Sequence, residues 1–420
     1  MNAQLMSQLK NSPTAYHAVE NAKNMLEQHG FVRLNESEKW NVAKGGKYYV
    51  IKDGSALIAF CVGSDPEGLN IVASHTDSPA LKLKFNPIIK QGVYVKLNVE
   101  RYGGGLNYSW LDIPLRIAGR VILEKNGRLI SKLVYDERKV IIPSVAVHFN
   151  REVNIKGLIL NPQTDLQPLV SQDKDFSLSL AEADGGKILD YDLFLTNAEE
   201  PFFAGFDNEF IVAPRIDNLT SAFSSIASLV NANPKNIALA FLADNEEVGS
   251  ATKQGAGGAF LKRAVSRISK SLGIDKDILQ SNSFMVSCDN AHAVHPNHPE
   301  MSDPTNVVTL NGGVVIKHHA NQNYTTDAFS SSVIKMLADK NGVPTQDFFM
   351  RADMPCGGTL GAISSTQLSI RSVDIGLAQL AMHSAMETMG SRDYESMVRL
   401  LGAFYSAKIT CPAHSEICIG

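Results

Sequence analysis

Ile237-Ala238-Leu239-Ala240-Phe241-Leu242-Ala243 runs without a polar residue into Asp244-Asn245-Glu246-Glu247. An apolar run of strand length that stops at acidic residues suits a strand covered on both faces, with chemistry at its end, as in α/β sheets. Downstream, Phe284–Cys288, 348–350 and 370–375 read as further strands, and 258–272, 327–340, 379–389 and 393–406 read as helices. Just upstream, Leu219, Ala222, Phe223, Ile226 and Val230 recur at helical spacing. Nearer the start, Ser12-Pro13 reads as the N-cap and first residue of a helix that ends at Gly30. Lys52-Asp53-Gly54-Ser55 reads as a hairpin turn, and a short strand over 71–74 ends at His75.

From about Leu83 to Ala213 the texture changes. Residues 93–99 largely alternate, Asn126-Gly127 joins two β-rich runs, and helical periods are scarce. This predicts a β-rich domain inserted into an α/β domain: 1–84 and 214–420 form one unit and 85–213 the other. Gly103-Gly104-Gly105 lacks the lysine and helix of a phosphate loop and reads as a bend.

The composition excludes several roles. In 420 residues, 39 basic side chains face 43 acidic ones, a formal charge of −4, so no large positive field is available for nucleic acid. No apolar stretch approaches the roughly 18 residues of a membrane span. Cys61, Cys288, Cys356, Cys411 and Cys418 are scattered and contain no C-x-x-C pair, which argues against disulfides and thiolate zinc sites. With no basic region and apolar core at the N-terminus, the reading is a cytoplasmic protein.

Metal-ligating residue types stand at the strand ends. His75 and Asp77 end one strand, Glu246 and Glu247 follow another, Asp289 follows a third, Asp217 opens a helix, and His383 falls in the segment read as helix over 379–389. Two histidines and three carboxylates can hold two divalent ions if one carboxylate bridges, and two ions roughly 3.5–4 Å apart can polarise a carbonyl and activate water. Each piece has a plainer reading alone. His75-Thr76-Asp77 can be structural, Glu246-Glu247 a solvated turn, Asp217 a helix cap and His383 a core histidine.

The ordered set resembles the co-catalytic dinuclear metallopeptidases. Ser74-His75-Thr76-Asp77-Ser78-Pro79, Arg215-Ile216-Asp217-Asn218-Leu219, Ser287-Cys288-Asp289-Asn290-Ala291-His292-Ala293 and Gln379-Leu380-Ala381-Met382-His383-Ser384 resemble the aspartyl aminopeptidases specifically. Ile142-Pro143-Ser144-Val145-Ala146-Val147-His148 and Cys356-Gly357-Gly358-Thr359-Leu360-Gly361 extend the likeness over nearly the whole chain.

The resemblance implies a mixed-sheet α/β zinc-exopeptidase domain with an inserted β-rich dimerisation domain. It implies two divalent ions, zinc with cobalt or manganese as alternatives, bridged by Asp217. His75 and Asp289 complete one site and Glu247 and His383 the other, with Glu246 as general base and Asp77 orienting His75. It further implies a dodecamer built from dimers, His148 reaching a neighbouring subunit's site, and His292 and Lys317 beside the first substrate residue. From the residues alone, His148 can equally be a buried strand histidine, and Lys317 a surface lysine at a strand end. The expected activity is release of acidic N-terminal residues from peptides with a free N-terminus. Alternatives are an aminopeptidase of broader or non-acidic specificity, an amidohydrolase of acylated amino acids, and a non-catalytic assembly protein. One departure stands out: the family's Ser-x-Arg-Glu is here Ser384-Ala385-Met386-Glu387.

Overall fold

In the computed structural model, which describes residues 1–173, 175–178, 186–413 and 415–420, Ile237–Ala243 is a strand with every residue buried. Its side chains alternate between two cores. Ala238, Ala240 and Leu242 pack with Leu219, Phe223 and Phe404; Ile237, Leu239, Phe241 and Ala243 pack with Phe260, Ala264 and Ile268. Successive strand residues point to opposite faces, so a strand between two helical layers must be apolar at every position. Helices Ile216–Val230 and Asp393–Ser406 cover one face, and Phe260–Leu272 and Leu360–Leu368 cover the other.

Ile237–Ala243 pairs parallel with Leu69–His75, which pairs parallel with Phe284–Cys288, which pairs parallel with Arg371–Leu380. Ala56–Val62 adds an antiparallel neighbour to Ile237–Ala243, so the sheet is mixed. The three parallel steps bring the carboxyl ends of four strands to one edge, where open α/β sheets place their ligands.

A second, six-stranded antiparallel sheet runs in the order Arg128–Tyr135, Leu115–Lys125, Lys187–Asn197, Ala80–Gln91, Tyr94–Tyr102, Leu169–Ser171. It has its own core, including Leu83, Leu97, Val99, Ile117 and Leu193. Asn126 and Gly127 both take positive φ between two of its strands, as a tight hairpin turn requires. The proposed division at 84/85 falls inside Ala80–Gln91, and the hairpin of Phe202–Ala204 and Phe210–Ala213 pairs with the large sheet instead. Residues 174 and 179–185 of the 85–213 segment lie outside the described residues.

Other expectations differ from the structure. Residues 379–389 do not form a helix: Arg371–Leu380 is a strand that returns through a turn to the strand Glu387–Gly390. Ala381 and His383 take positive φ, which a right-handed helix does not admit, so apolar spacing misled there. The opening helix spans Ala15–Gln28 with Thr14 at its N-cap, and Ser12 instead accepts a hydrogen bond from Asn21. A preceding helix, Asn2–Asn11, and a C-terminal hairpin, Ile409–Ala413 with Glu416–Ile419, went unread.

A buried amide ties the last helix to the sheet. Asn70 Nδ2 donates to the carbonyls of Phe404 (2.7 Å) and Ala407 (2.8 Å), where the helix ends. Asn70→Leu strands both acceptors, each at a cost of about 1–3 kcal/mol. We therefore expect a clear drop in the urea midpoint with an unchanged slope. An unchanged midpoint would show that neither carbonyl depends on this amide.

Candidate metal centre

His75 is the last residue of Leu69–His75, Asp289 follows Phe284–Cys288 by one, and Glu246 and Glu247 follow Ile237–Ala243 in a 3₁₀ turn, Glu246–Val248. The parallel register carries these groups to the same sheet edge. Asp217 lies in the irregular first turn of Ile216–Val230, where the chain leaves the strand Phe210–Ala213. His383 comes from the turn between Arg371–Leu380 and Glu387–Gly390.

Asp217 stands between the histidines. Its Oδ1 lies 3.6 Å from His75 Nε2 and its Oδ2 lies 3.4 Å from His383 Nε2. His75 Nε2 is also 3.8 Å from Asp289 Oδ1, and His383 Nε2 is 3.4 Å from Glu247 Oε2. Two ligand groups result, His75–Asp217–Asp289 and Asp217–Glu247–His383, each with donor atoms mutually within 4.8 Å, and Asp217 belongs to both. Glu246 joins His75 and Glu247 in a third such group.

The surroundings orient these donors. His75 Nδ1 faces the main-chain oxygen of Asp77 at 3.1 Å and its carboxylate at 3.4 Å, which leaves Nε2 toward Asp217 and Asp289. Asp77 also accepts hydrogen bonds from the backbone N–H groups of Glu246 (3.2 Å) and Glu247 (3.1 Å). His383 Nδ1 meets the carbonyl of Gly104 at 3.2 Å. Glu387, fully buried, accepts from the N–H groups of Asp217 (2.9 Å) and His383 (2.8 Å), and so fixes the backbone of both. Gly376 allows the close crossing at Asp289, because a Cβ there would sit 2.0 Å from its carbonyl oxygen.

The electrostatics call for a cation. Burial, then the charge of Asp217, lift Glu247 well above the carboxylate range. Burial lifts Glu246 to about 7 against the pull of His75, and burial with Asp217 lifts Glu387 to about 8. Burial disfavours charge on His75, yet Asp289 and Asp77 outweigh it and raise its pKa well above the ordinary value. The same contest, with Asp217 and Glu247 on the winning side, takes His383 to about 10. A cluster that lifts acids and imidazoles together lacks positive charge at its centre, which divalent ions supply. Asp217 Oδ1 and Glu247 Oε1 are buried without a hydrogen-bond donor, and an imidazole and carboxylate set suits zinc.

Lys317 is fully buried, not at the surface. Its Nζ donates to the carbonyl of Asn290 (3.1 Å), lies 3.9 Å from Asp289 Oδ2 and sits 4.9 Å from the centre of the Tyr324 ring. Burial opposes charge on Asp289, but Lys317 and His75 overcome it and hold that carboxyl down at about 2. His292 packs 6.2 Å from the ring of Phe348, within electrostatic reach of Lys317 and Asp217. His148 lies in the 3₁₀ turn Val147–Phe149, exposed, neither buried nor on a strand. A cavity of about 290 Å³ is lined by Asp77, Asp217, Tyr16, Lys82, Arg120 and Asp192. Asp192 accepts from Tyr16, Lys82 and Arg120 there, and Lys317, His292 and His383 do not line the cavity.

Sequence reasoning missed Tyr102, Gly104, Asn245 and Glu387. Glu387 stood in the Ser384-Ala385-Met386-Glu387 word, and Gly104 in a triplet read only as a bend. Met386, at the family's arginine position, points its sulfur toward Asn197 Nδ2 at 3.5 Å.

Residues 8–405 match the family model described as aminopeptidase I zinc metalloprotease (M18). The chain is 42% identical to the probable M18 family aminopeptidase 2 of Clostridium novyi (strain NT), over 96% of this chain and 98% of that protein. It superposes on a chain of the cryo-EM structure of the Ape4 and Nbr1 complex with a TM-score of 0.91 and 33% identity, covering 96% of this chain and 85% of the other. The S. cerevisiae mApe1 dodecamer gives 0.84 and 28%, covering 96% of both chains. Strand ends that gather imidazoles and carboxylates into adjoining ligand groups thus sit on a fold shared over nearly its whole length, and the chain belongs to the M18 family of zinc metalloprotease aminopeptidases.

Proposed function

We propose that this aminopeptidase binds two zinc ions in the groups that share Asp217, and removes acidic N-terminal residues from peptides. The observation that carries the two-ion reading is the bridging position of Asp217, with one oxygen toward His75 and the other toward His383. Ions bound there would polarise the scissile carbonyl, anchor the free amine and acidify a water molecule. Glu246 shares the carboxylate-rich face with His75 and Glu247 and is left over from the two Asp217 groups. As general base it takes a proton from the attacking water and returns it to the nitrogen of the leaving peptide. Asp77 holds the backbone of Glu246 and Glu247 in register with His75. Membership of an aminopeptidase family disfavours an amidohydrolase of acylated amino acids, and a non-catalytic assembly protein has no use for Glu246.

Glu246→Gln keeps size and removes basicity, so zinc content should persist while turnover falls by roughly two to four orders of magnitude. Glu247→Ala should lose zinc, as read by metal analysis after dialysis. The opposite pattern would exchange the two roles.

Lys317 and His292 are the proposed partners of an acidic first side chain. Lys317 offers a buried cation beside Asp289, and a charge-assisted hydrogen bond contributes about 1.5–3 kcal/mol, or roughly tenfold to a hundredfold in selectivity. Because Lys317→Met also removes the cation beside Asp289, its effect is read as a ratio. The kcat/KM for Asp or Glu dipeptides over that for matched Ala or Leu dipeptides should fall by that factor. A wild-type preference for Leu would sink the acidic reading and leave the aminopeptidase intact.

Assembly into a dodecamer, as in the S. cerevisiae relative, is proposed here with the 85–213 segment as the dimerisation unit. Val145, Val147, Phe149, Ile155 and Ile159 on that segment are 50–92% exposed, apolar surface that a subunit partner would cover. His148 lies among them, and we read it as the residue that enters a neighbour's site. Among the described residues no helix is long and apolar enough to cross a membrane, and a cytoplasmic site of action is part of the proposal. Light scattering should give twelve times the chain mass of 45.6 kDa. His148→Phe should depress turnover without emptying zinc, and a fully active monomer would refute both statements.

A further inference from the structure

The inserted sheet reaches the carboxylate of Asp77 through the side chain of Tyr102. Tyr102 is the last residue of the strand Tyr94–Tyr102. Its hydroxyl donates to Asp77 Oδ2 at 2.7 Å and accepts from Asn245 Nδ2 at 2.8 Å. Asp77 Oδ2 also receives the N–H of Glu247, while Oδ1 receives that of Glu246 and faces His75 Nδ1. One phenol therefore touches the carboxylate on which the ring of His75 and the turn at 246–247 both rest. Burial, and then the charge of Asp77, raise the pKa of this phenol, which favours its donating form. Its ring packs edge-on against Phe194 at 5.7 Å, so the hydroxyl can be removed while the packing is kept. The chain continues from Tyr102 into Gly103, whose positive φ lays the backbone against Glu247, and into Gly104, whose carbonyl meets His383 Nδ1.

We propose that Tyr102 is a positioning residue for the metal centre, supplied by the inserted sheet. Its O–H holds Asp77, whose main-chain oxygen (3.1 Å) and carboxylate (3.4 Å) both face His75 Nδ1, so that the Nε2 lone pair of His75 would be aimed at an ion held with Asp217 and Asp289. Carboxylates that orient a ligating histidine typically change metal affinity 10–100-fold when disturbed, and Tyr102 acts on one of them. The inference rests on the zinc-centre reading above and adds a residue to it that no ligand group contains.

The test is zinc affinity of the full-length assembled protein, measured by stripping the metal and refilling against a competing chelator. Tyr102→Phe should weaken one of the two ions about tenfold or more and leave the other within a few-fold. Tyr94→Phe, at the exposed far end of the same strand, should leave both unchanged. Because Tyr102 acts through Asp77, Asp77→Asn should weaken the same ion, and adding Tyr102→Phe to it should cause no further loss. A merely structural tyrosine would give losses that add. Wild-type affinity in Tyr102→Phe, or additive losses in the double variant, overturns the proposal. Wild-type protein that takes up no zinc would instead overturn the metal-centre reading, and this inference with it.

Discussion

A buried carboxylate with an unpaired oxygen is the constraint around which this molecule is arranged. Asp217 Oδ1 receives no hydrogen bond, and burying an unpaired carboxylate costs several kcal/mol unless a cation compensates it. Its two oxygens face two histidines, and each histidine faces a further carboxylate. The surrounding carboxylates raise the pKa of both imidazoles against burial, and burial with the charge of Asp217 raises that of Glu247. The rest of the structure holds these mutually repelling groups close together. Three parallel strand pairings bring the carboxyl ends of four strands to one edge, and Glu387 clamps the backbone of Asp217 and His383.

The centre also lies where the two sheets meet, so its rigidity depends on both. The turn carrying His383 is pinned from the inserted side: Leu106 N–H donates to the His383 carbonyl (2.9 Å) and Ser109 Oγ accepts from Ala385 N–H (2.9 Å). Asn197 Nδ2 donates to the carbonyl of Ala385 (2.9 Å). Farther out, Asp192 accepts from Tyr16, Lys82 and Arg120, and Arg120 also donates to the carbonyl of Asp53 in the first hairpin. Of these, Tyr16 to Asp192, Arg120 to Asp53 and the contacts to the His383 turn cross between the two units, while Lys82 and Arg120 hold Asp192 within the inserted sheet. Such links specify geometry through direction and charge, as a ligand set with sub-ångström demands requires.

The central strand was legible because seven consecutive apolar residues leave no other economical placement, and the alternating half-exposed pattern of Tyr94–Tyr102 was legible for the converse reason. The turn at 381–386 was not. Apolar spacing there fits helix and strand alike, and the positive φ at Ala381 and His383 comes from neighbours distant in the chain. Lys317 was equally hidden, since nothing local to Val315-Ile316-Lys317 says that Asp289 and Tyr324 will close over its ammonium group.

The residue types, their order and their positions at strand ends were determined by the sequence itself. Side-chain period and turn chemistry are local properties, and imidazole and carboxylate carry the same coordination chemistry wherever they stand. Only the tertiary structure decided which oxygen of Asp217 faces which histidine, that Glu387 holds both backbones, and that Tyr102 and Gly104 come from another sheet to orient Asp77 and His383. Apart from Glu387 to His383, four residues away, those contacts join positions separated by tens to hundreds of residues. Their geometry follows from strand register and sheet docking, which are settled by packing over the whole chain and leave no mark in any single segment.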